Sequence, residues 1–100
     1  LIIDENNMDV LQKMAYVCTQ TKDYNEAQES YEKLISLDDK DDMAHVLLAN
    51  VLHKLGDEEG AARHHERAII LDPEYAPHHF NYANTLYDLG RKEEALLEYK

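Results

Sequence analysis

Apolar positions along the chain recur at the three- and four-residue intervals of a helix, not in the alternation of a half-buried strand. In the middle of the sequence Leu48, Ala49, Leu52 and Leu55 fall at i, i+1, i+4 and i+7 and lead into Gly56. This predicts a helix closed by a left-handed glycine. Asp57 follows as a candidate N-cap, and Ala61, His65, Ala68, Ile69 and Leu71 carry the helical spacing on until Asp72-Pro73 stops it. A second helix is predicted there. Asp41 or Asp42 opens this middle unit, and in the next one Pro77 stands at a predicted first helical position, where its missing N–H costs nothing.

The unit repeats. A displacement of 34 residues superposes Ala15, Ala49 and Ala83, and likewise Ala27, Ala61 and Ala95, with no gap. Leu55-Gly56 then falls on Leu89-Gly90 and Leu37-Asp38 on Leu71-Asp72, and a second displacement brings Tyr31 onto Tyr99. Small residues recurring at two positions per period mean that two helices cross too closely there for a larger side chain, once in each unit. The period divides the chain into 1–7, the tail of a preceding unit; 8–41 and 42–75, two full units; and 76–100, a truncated third. These make a single solenoid domain, and the phase of the ends suggests an excerpt from a longer array. Neither end shows a polar capping helix, so end-to-end self-association is a further expectation.

The run Ala49…Leu52…Leu55-Gly56-Asp57…Ala61…His65…Ala68…Leu71-Asp72-Pro73 resembles the tetratricopeptide repeat, as does Tyr82-Ala83…Leu86-Tyr87…Leu89-Gly90…Glu94-Ala95…Tyr99. The resemblance extends, more loosely, over the first unit. It implies an all-α fold, a right-handed α-solenoid of tandem antiparallel helix-turn-helix repeats whose first helices line a concave side. Four departures stand out: Lys22 for the turn glycine, Asp39 for the proline, His65 for a core aromatic, and Leu11, His45 and His79 where the family often has Trp.

On the concave positions that the resemblance implies, Tyr16, Met43, Val46, Leu47 and Phe80 form an apolar patch too large to be left to water. Asn50 and Asn84 share a phase one period apart, accompanied by Lys54, Asn81 and Asp88. Asparagine both donates and accepts, so a ladder of them can pair with the main chain of an extended peptide. The family's Lys/Asn/Arg clamp for chaperone C-terminal carboxylates is not matched. Gln12, Tyr16, Leu47, Pro77 and Asn81 occupy those positions, and a carboxylate needs positive charge to be held.

Composition narrows the partners. With 21 acidic against 10 basic residues the formal net charge is −11, which repels phosphate backbones and anionic lipid headgroups. Neither nucleic acid nor a membrane is an expected partner. Cys18 is the sole cysteine, so no intrachain disulfide forms, and a cytoplasmic or nuclear setting is the default; its repeat position predicts a buried, apolar thiol. The acidic run Asp38–Asp42 lacks the glycine and distal glutamate of a calcium loop and is expected to be a solvated turn. The pairs His64-His65 and His78-His79 belong to neighbouring helices, yet adjacent residues point about 100° apart on a helix, so no metal or other cofactor is expected there. No catalytic constellation emerges. The expected function is a non-enzymatic scaffold that binds an extended or helical segment of another protein on its concave face. A substrate-presenting arm of a larger enzyme, such as a glycosyltransferase, is the alternative.

Overall fold

The computed structural model describes residues 8–99. The predicted tail of a preceding unit, 1–7, lies outside the described residues. Six helices follow one another: α1 (Met8–Gln20), α2 (Tyr24–Leu37), α3 (Asp42–Lys54), α4 (Glu58–Leu71), α5 (Ala76–Asp88) and α6 (Lys92–Tyr99), with no strand among the described residues. Each helix packs on its predecessor and successor in the chain, giving an elongated body of 52 × 25 × 17 Å. The fold is an all-α solenoid of helical hairpins.

The hairpin turns share one geometry. Gly56 and Gly90 adopt φ of +87° and +81°, and Lys22, at the same register, adopts +63°. At each turn the left-handed residue donates its N–H three residues back, to Thr19, His53 or Tyr87, and the following amide donates to Cys18, Leu52 or Leu86. This double closure is the Schellman pattern. Lys22 is therefore forced into the glycine conformation by the turn's own hydrogen bonds, at a cost of about 1 kcal/mol. Acidic caps fix two of the helix starts: Asp41 Oδ1 accepts from the amides of Met43 and Ala44, and Asp57 Oδ1 from that of Gly60.

The periodic alanines occupy the crossings. Ala15, Ala27, Ala49, Ala61 and Ala83 are wholly buried and Ala95 nearly so. Around them Leu11, Tyr31, Leu34, Leu48, Val51 and Leu52 form one apolar cluster across the first two hairpins, and Tyr82 and Leu86 with Ala62 and Ala83 a second around α5. Cys18 departs from its predicted place. It is only half-buried, with its thiol 3.8 Å from Glu26 Oε2, and partial burial together with that carboxylate pushes its pKa up.

Two histidines at one register latch successive repeats. His45 Nε2 donates to the Asp39 carbonyl at 3.2 Å, and His79 Nε2, one period later, to the Pro73 carbonyl at 2.7 Å. Their Nδ1 atoms then meet different partners on the following helix: His64 Nδ1 at 3.0 Å for His45, Glu98 Oε2 at 2.9 Å for His79. His79 faces acceptors from both nitrogens, so its pKa is raised, first by the Glu98 hydrogen bond and then by the Pro73 carbonyl. His64 shifts the other way because burial and His45 both disfavour its charge. His78 bonds Asp42 Oδ2 at 2.8 Å, which holds that carboxyl below its ordinary range. His64, His78 and His79 thus bond to three different partners, His45, Asp42 and Glu98.

Candidate functional site

The first helices of the hairpins, α1, α3 and α5, share one face, and two recesses open along it. The first lies between α1 and α3 and encloses about 310 Å³. Tyr16, Met43 and Leu47 stand around it, each more than 40% exposed, over a wall made by Tyr31, Leu34 and Ala44, with Gln12 and Asp41 at the polar edge. Burial pushes the Tyr31 phenol above its ordinary pKa. This recess is apolar and offers few hydrogen bonds.

The second recess, between α3 and α5, is smaller at about 150 Å³ and polar. Asn50 and His53 contribute from α3, His65 from α4, and Asn81, Asn84, Thr85 and Asp88 from α5. His65 is 3% exposed, and burial, with His78, His64 and His53 nearby, lowers its pKa to about 4. At neutral pH it is an uncharged imidazole. Thr85 donates to the Asn81 carbonyl at 3.2 Å, which fixes the hydroxyl against its own helix.

The structure thus separates the candidate residues into groups. Tyr16, Met43 and Leu47 come together in the apolar recess, while Asn50, Asn81, Asn84 and Asp88 come together in the polar one. Phe80 belongs to neither. It lines a third recess of about 570 Å³ with Glu74, His79 and Leu97, its ring 5.7 Å from that of Tyr99 in an edge-on arrangement. Lys54 is exposed at the end of α3. Val46 requires a correction: it is 5% exposed and cannot meet a ligand as the sequence suggested. The helix α3 packs against both α2 and α4, and a short branched side chain does not reach past that packing. The asparagine ladder is also uneven, because Asn84 Oδ1 already accepts from the Tyr99 hydroxyl.

Residues of these recesses absent from the sequence candidates include Tyr31, Leu34 and Ala44 in the first and His53, His65 and Thr85 in the second. For one pair a signal existed. Tyr31 and His65 occupy the same register one period apart, so a single wall position serves both recesses.

The architecture defines a class, the helical-hairpin repeat solenoids. Within it, profiles of the tetratricopeptide repeat match residues 9–41 and 44–75, and the chain belongs to that family. Among solved structures it is similar to the crystal structure of MamA, at 25% identity and a TM-score of 0.89, covering 96% of this chain and 56% of that one. The chain therefore spans little more than half the length of MamA. It is also similar to the first tetratricopeptide domain of Spaghetti (RPAP3) bound to the HSP90 peptide SRMEEVD, at 21% identity and a TM-score of 0.86, covering 97% and 77% of the two chains. The yeast Sti1 TPR2B domain in complex with pHsp70 matches at 19% and 0.84, covering 91% and 73%. No curated protein matches the sequence. No helix among the described residues is long and apolar enough to cross a membrane.

Proposed function

We propose that the chain is a protein-interaction scaffold that binds an extended segment of another protein along the α1–α3–α5 face, with no turnover of its own. In this reading the hairpins are the repeats 8–41, 42–75 and 76 onward. The observation that carries the proposal is the apolar recess. Tyr16, Met43 and Leu47 stay exposed around a cavity of about 310 Å³, room for one or two apolar side chains. The polar recess continues the same track, where Asn50 and Asn81 offer donors and acceptors to a main chain passing over α5.

Similar domains supply support of a general kind, since those of RPAP3 and Sti1 were solved with Hsp90 and Hsp70 peptides. The ligand here differs in charge. The positions of the carboxylate clamp hold Gln12, Tyr16, Leu47, Pro77 and Asn81, and Asp41 and Asp88 border the recesses in a chain of net charge −11. A neutral or basic segment with apolar anchors fits this face, whereas an acidic tail meets repulsion without a compensating cation.

Selection of displayed peptides against the intact chain, followed by fluorescence anisotropy, tests the assignment. Leu47 is 41% exposed, so Leu47→Asp should leave the fold intact, checked by circular dichroism. It should weaken a selected peptide at least tenfold by placing a charge at the mouth of the apolar recess. Undiminished binding by this variant removes the recess from the ligand track.

A further inference from the structure

We propose that His53, Glu58 and Asp88 form a binding site for a divalent transition cation of the zinc type, bridging the second and third hairpins. One nitrogen of His53 and one carboxylate oxygen from each of Glu58 and Asp88 all lie within 4.8 Å of one another. They come from three elements: the last turn of α3, the first residue of α4 and the last residue of α5. Small rotations of the exposed His53 and Asp88 side chains bring these atoms to the spacing that metal–ligand bonds of ~2.0–2.2 Å demand.

Two buried polar atoms without partners and one unfavourable helix end mark the place. Glu58 Oε1 is paired with His53 Nδ1, but its Oε2 is sealed from solvent with no hydrogen-bond donor. A carboxylate oxygen in that condition is costly, and a cation relieves it. His65, which lines the recess with His53 and Asp88 and is 3% exposed, has its Nδ1 buried without a partner. Asp88 ends α5, whose last turn carries no basic residue, so an anion sits on the negative end of the helix dipole.

The donor set selects the metal. Calcium takes six to eight oxygens and magnesium keeps most of its waters, whereas one imidazole with two carboxylates suits zinc and its neighbours. The cation takes the place of the hydrogen bond between His53 and Glu58, the imidazole then carrying its proton on Nε2. Three protein ligands leave a fourth position open toward the recess. Occupied, the site ties α3 to α5 and fixes the spacing of the polar half of the face.

The test uses the metal-free 100-residue chain and Zn2+ alone, and so is independent of any peptide. Calorimetric titration at pH 7 should show one equivalent bound. Asp88→Asn and Glu58→Gln should each lower the affinity at least tenfold with helical circular dichroism retained, while Glu98→Gln, at the unrelated His79 pair, leaves it unchanged. Co2+ should give the visible bands of a four-coordinate site in the wild type and lose them in Asp88→Asn. The proposal is overturned by absence of binding, by affinity indifferent to Asp88→Asn, or by tighter binding of Ca2+ than of Zn2+.

Discussion

The two recesses on the α1–α3–α5 face are built on one backbone frame and differ in chemistry at three shared positions. Tyr16, Tyr31 and Leu47 border the first; one period later Asn50, His65 and Asn81 border the second. Each exchange replaces an aromatic or aliphatic side chain by a polar one, and the enclosed volume falls from about 310 to about 150 Å³. The alanines and the turns remain the same. A repeat solenoid thus holds its hairpin geometry with one set of positions and writes its ligand chemistry with another, so neighbouring sections of one face can take different parts of a ligand.

Acid should expose the difference most strongly. Tyr31 does not titrate below neutrality, whereas His65 does. Its folded pKa of about 4 lies below its ordinary 6.5, so the unfolded chain binds more protons between these values. Its stabilising contribution is complete above pH 6.5 and is lost as the pH falls, by on the order of 3 kcal/mol at pH 4. His64 acts in the same direction, while His79, with its raised pKa, stabilises at low pH and fades as the pH rises. Urea midpoints at pH 7.5 and 5 should therefore drop for the wild type and drop less for His65→Tyr, which carries the tyrosine of the first and third repeats at this register.

Ala49 lies on α3, between the two recesses, with no exposed surface. Ala49→Leu should overpack the crossing and cost roughly 1–3 kcal/mol, measured by denaturant unfolding. A loss below about 0.5 kcal/mol would mean that the crossing is loose and that the common frame is not what the two recesses share. The turns provide a finer comparison. Nothing crowds a Cβ at Gly56, so Gly56→Ala should cost only the left-handed backbone penalty of about 1 kcal/mol. Lys22→Gly at the equivalent turn should stabilise by up to about 1 kcal/mol for the same reason. Smallest of all, Asn50→Ala with Asn84→Ala should leave the unfolding midpoint nearly unmoved while weakening a bound peptide.

Much of this frame was legible in the sequence because it is set locally. The glycine turns and the caps at Asp41 and Asp57 declare themselves within a few residues, and the alanines through their 34-residue recurrence. Lys22 shows the limit of residue identity, since hydrogen bonding imposes the glycine conformation on a lysine. The recesses were only half legible. Positions on one helix could be phased, so Tyr16, Met43 and Leu47 were found together, but Val46 and Phe80 were misassigned to the same patch because packing by adjoining helices is not encoded in a single helix's period. His53, Glu58 and Asp88 carry no short motif, being five and thirty residues apart in sequence and joined only by the stacking of hairpins.

In the proposed complex a partner segment lies along α1, α3 and α5 with its apolar residues in the first recess. Backbone amide shifts of the 15N-labelled chain, followed as a selected peptide is added to saturation, test it most directly. The largest changes are expected at Tyr16, Met43 and Leu47, continuing through Asn50 to Asn81. Changes centred instead on the exposed acids of the second helices, such as Glu29, Glu59 and Glu66, would contradict it.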